Sequence, residues 1–64
     1  MKVTTRDERL ADRFANEVMN IFPFIKNFKP EVVNDQLEFS IDGDGLNVAI
    51  CKAIADYLGL QVVC

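Results

Sequence analysis

The chain has 64 residues, of which 50% are hydrophobic and 27% charged, and its net charge is −3. This length supports one small globular domain, and a domain of this size buries only about 60% of the surface that its unfolded chain exposes. With no histidine and only two cysteines the chain cannot complete a structural zinc site, and no apolar run approaches the roughly 18 residues of a membrane span.

The charges are unevenly distributed along the chain. Residues 1–29 carry a net charge of +2 and residues 30–64 a net charge of −5, so we expect an electrically polar molecule that can steer a charged partner. Cys51 and Cys64 are too few for a disulfide framework. We therefore expect two free thiols and a soluble, cytoplasmic protein.

The first helix is the clearest element. Residues 1–4 are compatible with a strand, and Thr5 to Glu8 has the pattern of a capping box. The helix is expected to run to about Phe22, where Pro23 ends it. Its apolar residues recur at helical spacing on one face: Leu10, Ala11, Phe14, Ala15, Val18, Ile21 and Phe22.

An antiparallel hairpin is expected over residues 31–42. Asn34 and Asp35 are typical turn residues between two short strands. From Gln36 to Asp42 apolar and polar residues alternate strictly, which is the period of a strand with one buried face.

The second helix is expected over residues 46–58, with Asp44 as its N-cap and Gly59 at the left-handed position after its end. Residues 60–64 are β-branched and apolar enough for a final strand. The helix is apolar nearly all round, which is typical of a helix that is buried on more than one side. Six of its residues form the face that we expect to meet the core: Leu46, Ala49, Ile50, Ala53, Ile54 and Tyr57.

The order of elements predicts an α+β domain, with a small antiparallel sheet covered by two helices. If residues 1–4 form a strand, the order βαββαβ matches the ferredoxin-like split βαβ fold. If they do not, the sheet has three strands. Neither pattern indicates a particular function, because one fold serves many functions.

The opposite face of the second helix is the main functional prediction. A chain this short has little mass to cover a second apolar face, and a contiguous apolar patch usually marks an interface. We expect this face to bind another protein, with a two-fold dimer favoured, or else to lie under the connector at 23–30 or the chain ends. The predicted interface consists of Val48, Cys51, Ala55 and Leu58.

Two charged surfaces are further candidates. Glu38, Asp42 and Asp44 are close in sequence and would suit a basic partner. Arg6, Arg9 and Arg13 lie on the solvated face of the first helix and could bind nucleic acid. The simpler interpretation of this arginine stripe is a solvated face whose charges pair with neighbouring acids.

The sequence contains few residue patterns that would support catalysis or the binding of a cofactor. Gly43-Asp44-Gly45 lacks the third glycine of a dinucleotide-binding loop and is better explained as a turn. A calcium loop beginning at Asp42 would place apolar side chains at ligand positions. A hydrolase using the Glu38 and Asp42 carboxylates is conceivable, but without histidine the usual general base is missing. We therefore expect no enzyme activity, no cofactor and no metal.

The sequence thus predicts a non-catalytic protein-interaction module. An inhibitor or regulator that masks a larger protein, of the kind that phages encode, fits its size. The alternative is a nucleic-acid-binding protein that uses the arginine stripe.

Overall fold

The computed structural model describes residues 1–41 and 46–63. The first four residues do contribute a strand, so the order of elements is βαββαβ. The bounds are β1 Lys2–Thr5, α1 Glu8–Ile21, β2 Glu31–Val33, β3 Gln36–Ser40, α2 Val48–Leu58 and β4 Gln61–Val63.

The four strands form one sheet in the order β2-β3-β1-β4. All three neighbouring pairs are antiparallel. The strands before and after α1 are separated by β3, and the strands before and after α2 are separated by β1, so each βαβ unit is split by a strand from the other. This is the topology of the ferredoxin-like split βαβ fold, as the sequence predicted for a chain with a strand at its start.

Both helices cover the same face of the sheet. Val3 in β1 lies opposite Phe39 in β3 and Val62 in β4, so these three side chains share one face. Apolar residues of α1 and α2 join them in a single hydrophobic core. The fully buried members with the largest side chains are Phe14, Phe39, Ile41, Val3, Val18 and Cys51.

The helix starts differ from the sequence predictions. Asp7, rather than Thr5, caps α1: its carboxylate accepts from the Arg9 and Leu10 backbone N–H groups at 2.9 and 3.4 Å. Thr5 instead accepts from the Asp7 N–H at 3.0 Å, which shapes the turn before the helix. Asn47 caps α2 by accepting from the Ile50 N–H at 3.2 Å. The predicted cap, Asp44, lies outside the described residues.

The hairpin between β2 and β3 is confirmed. Asn34 and Asp35 have φ angles of 51° and 62°, the left-handed pair that a two-residue type I′ turn requires. Asparagine and aspartate tolerate this conformation better than other side chains, and this explains their place in the turn.

Gly59 ends α2 in the left-handed conformation, with φ 80°, as the sequence predicted. We expect Gly59→Ala to lower the free energy of unfolding by about 1 kcal/mol. A Cβ at this position would meet no atom within 4 Å. The loss therefore comes from the backbone strain of a side chain at positive φ. Urea unfolding followed by circular dichroism measures the change. Gly59→Asn is the control and should cost less, because asparagine tolerates this conformation. An equal loss for both variants would contradict the conformational explanation.

Candidate protein-docking surface

Helix α2 turns a different side to the core from the one that the sequence predicted. Cys51 and Ala55 are fully buried in the core, and Leu58 and Ile54 are partly buried against it. The interface predicted from Val48, Cys51, Ala55 and Leu58 is therefore wrong as an exposed surface, since only Val48, at 37%, is substantially exposed. The small side chains of Cys51 and Ala55 allow the helix to lie close to the sheet, which favours this orientation.

Of the six residues predicted to meet the core, Leu46 and Ile54 do pack against it, whereas the other four are turned to solvent. We define the outer apolar face as Ala49, Ile50, Ala53 and Tyr57, all of which are exposed. Tyr57 is 82% exposed and Ile50 38%. Ala53 lies between these larger side chains, and Ala49 lies one turn before Ala53, because residues three and four apart are neighbours on a helix surface. The result is an apolar stripe along one side of α2.

The charged residues of α2 neutralise each other at the border of this stripe. Lys52 Nζ lies 3.0 Å from Asp56 Oδ2, one turn further along the helix. Both side chains are about half exposed. An exposed pair of this kind stabilises the helix by only about 0.3–0.5 kcal/mol, but it leaves the border of the outer apolar face without net charge.

Cys51 is a free cysteine inside the core. Desolvation by burial raises the pKa of the Cys51 thiol above its ordinary range. A protonated, inaccessible thiol is a poor nucleophile and a poor metal ligand. Cys51 therefore acts as a small apolar side chain in the packing of α2.

The predicted acidic surface can be located only at Glu38, because Asp42 and Asp44 lie outside the described residues. Glu38 projects from the face of the sheet opposite the helices, beside Lys2, whose Nζ lies 3.1 Å from Glu38 Oε1. The Glu38 side chain is only 16% exposed. This carboxylate is thus largely covered and already paired, so it offers little charge to a basic partner.

The arginine stripe is exposed as predicted. Arg6, Arg9 and Arg13 are all open to solvent. Between described residues the ion pairs within 4.0 Å are those of Lys2 and Lys52, and neither involves these arginines. The stripe is nevertheless interleaved with acids: a shallow depression at the start of α1 is lined by Arg6, Asp7, Glu8 and Arg9.

The structure also forms a cleft that the sequence did not reveal. It has a volume of about 370 Å³ and lies between α1 and the connector that follows it. Its polar lining combines Lys26 and Lys29 with Asp12, Asn16 and Asn27. The only sequence signal was the alternation of lysines with aromatic residues in the connector, which does not show that this segment folds back along α1.

Metal binding has no support in the part of the chain that the structure describes. Across residues 1–41 and 46–63, no group of three or more Cys, Asp or Glu side chains is close enough to hold an ion. Within the same residues, no helix combines the length and the hydrophobicity needed to cross a lipid bilayer.

The comparisons with known proteins assign no family to the chain. It matches no protein-family model, no curated protein and no solved structure. The outer apolar face of α2 is thus the surface whose own geometry most clearly calls for a functional explanation.

Proposed function

We propose that this protein is a non-catalytic interaction module that binds and masks a larger protein through the outer apolar face of α2. The observation that carries the proposal is the exposure of Tyr57, at 82%, beside Ile50 and two alanines on one side of a helix. Contiguous apolar area of this kind on a small domain is typical of a binding site.

The composition of the face indicates how it would bind. Tyrosine is enriched among the residues that dominate interface energetics, since its ring buries a large area at low entropic cost. The flanking Ala49 and Ala53 let a partner approach the helix backbone closely. The partner that fits is a protein with an apolar groove that accepts one side of a helix.

A masking role follows from what the face lacks. Its side chains are apolar apart from the hydroxyl of Tyr57, and the nearest charged groups, Lys52 and Asp56, are paired with each other. Such a surface suits the occlusion of a site on a larger protein. A surface that covers a site on its target is sufficient for a small inhibitor or regulator.

The proposal is tested by isolating a stoichiometric partner on the immobilised native chain and measuring its affinity by calorimetry. Tyr57→Ala and Ala53→Arg are each expected to weaken binding by at least about 30-fold, the effect of losing a central aromatic anchor. Asn20→Arg, which adds the same charge on the exposed side of α1, is the control for Ala53→Arg and should bind like the native chain. Native affinity in both α2 variants would refute the proposed surface.

The arginine stripe supports the alternative of a nucleic-acid-binding protein, because its three arginines are exposed and pair with no other described residue. The dependence of binding on salt and on Arg9 separates the two functions. Binding to nucleic acid should fall steeply with salt and with Arg9→Glu. Binding through the outer apolar face should be almost insensitive to both.

A further inference from the structure

The two edges of the sheet differ in how they are protected. Strand β2 begins directly after Pro30 and carries Glu31, and proline and charge are common means of preventing edge-to-edge pairing. Strand β4, at the other edge, consists of Gln61, Val62 and Val63 and has neither. Among the described residues β4 pairs only with β1, so the hydrogen-bonding groups of its outer side are open.

Helix α2 lies above this unprotected edge. Its packing partners are α1 and β4, so α2 and β4 form one side of the molecule. Val48 on the helix is 37% exposed and Val63 on the strand 48%. An uncharged strand edge and a helix flank are therefore available together to a single partner.

We infer that β4 pairs with β4 of a second copy of this chain, antiparallel across a two-fold axis at Val62. A strand paired with itself in this way is self-complementary: Val62 faces Val62 of the second copy, and Gln61 faces its Val63. The axis is perpendicular to the sheet. The two sheets then join into one of eight strands, with both α2 helices on the same face.

The charges of α2 match this arrangement. A strand rises about 3.3 Å per residue and a helix about 1.5 Å, so two residues of β4 span as much height as four or five residues of α2. Because α2 and β4 are joined by the turn at Gly59 and Leu60, a count from Leu60 to Val62 in the strand and from Leu58 back along the helix places the axis level with Ile54. Lys52 and Asp56 lie two residues before and after that level. Across the axis Lys52 of each copy would approach Asp56 of the other, so the pair of charges is complementary to itself.

The area of this contact sets its strength. A stable interface buries about 800 Å² on each partner, and the whole chain exposes 4388 Å². Three residues of an edge strand and one flank of a helix bury less than that. The dimer is thus reversible and forms with increasing concentration. The dimer does not rest on the proposed function. The outer apolar face stays open in it, and the two copies of that face lie side by side.

The test uses two double variants of exposed β4 positions, in a Cys64→Ser background and reducing buffer. Gln61→Lys with Val63→Lys places like charges opposite each other twice across the axis. Gln61→Lys with Val63→Glu places opposite charges there instead. Both variants make two substitutions at the same sites, and circular dichroism confirms that each is folded. Sedimentation equilibrium from about 10 µM to about 1 mM, a range suited to weak association, gives the dissociation constants.

The native background is expected to dimerise within this range. The Lys/Lys variant should bind itself at least about tenfold more weakly, and the Lys/Glu variant should recover or exceed native affinity. A native chain that stays monomeric throughout would overturn the inference. So would a Lys/Lys variant that dimerises as well as the native chain. Tyr57→Ala, which also tests the proposed function and adds no charge beside Asp56, should leave the dimer unchanged, so the two proposals fail separately.

Discussion

Phe39→Ala is expected to lower the free energy of unfolding by about 3–5 kcal/mol, the cost of removing a large buried aromatic side chain. Phe39 is 1% exposed and lies at the centre of the aromatic core. Its ring centroid is 4.9 Å from that of Phe14, edge to face, and 4.9 Å from that of Phe28, stacked. The substitution removes both ring contacts and leaves a cavity between Phe14 and Phe28.

A loss of this size is decisive for a domain this small. A single core below about 70 residues rarely supplies more than about 3–5 kcal/mol of net stability, so the variant should be largely unfolded at 25 °C. Far-ultraviolet circular dichroism and urea titration measure this directly.

Phe24→Ala is the matched control for Phe39→Ala. Phe24 is 63% exposed, and its described aromatic contact is with Phe22, at 6.0 Å between ring centroids. We expect a loss of less than about 1 kcal/mol, because little apolar area leaves the protein interior. Similar losses at both positions would contradict the arrangement of the core.

The second large effect concerns the thiol of Cys51. In a Cys64→Ser background, Cys51 should react with a disulfide reagent at least about a thousandfold more slowly in the native chain than in urea. The thiol is fully buried, so it reacts only when the core opens, at a free-energy cost close to that of global unfolding. The raised pKa of the buried thiol also disfavours any reaction within the folded chain, because only the thiolate attacks. Absorbance of the released reagent follows the reaction.

A thiol moved to the opposite face of α2 provides the control. The triple variant Cys51→Ala, Ala53→Cys, Cys64→Ser carries its only thiol on the outer apolar face. This thiol should react nearly as fast in the native chain as in urea, since position 53 is exposed. Rapid reaction at Cys51 together with protection at position 53 would restore the orientation of α2 that the sequence first predicted.

Some elements were determined by the sequence because each carries its own local signal. Helix α1 has one apolar side and one polar side, so the buried residues Ala11, Phe14 and Val18 could be identified from spacing alone. The alternation in β3 identified Phe39 as a core residue in the same way. Gly59 and the Asn34–Asp35 turn were predictable because their backbone conformations favour particular residue types.

The cap of α1 was harder to predict because two competing signals stand two residues apart. Thr5 and Asp7 both favour an N-cap, and the choice depends on where the chain leaves β1. The strand continues through Thr5, which pairs with Leu37. This pairing holds Thr5 in extended backbone, so the helix begins later and Asp7 becomes its N-cap. This pairing is between residues distant in sequence, so no local pattern contains it.

The orientation of α2 was decided only by the tertiary structure. The helix has apolar residues on both sides, and periodicity identifies an apolar face without showing which of two faces the sheet will cover. Packing made that choice: α2 must contact α1 and β4 together, and the small Cys51 and Ala55 fit that junction whereas Tyr57 does not. The sequence by itself therefore determined the elements, their order and the composition of both faces of α2. Which face stayed open for a partner depended on the space left between a sheet and a neighbouring helix, which exists only once the chain has folded.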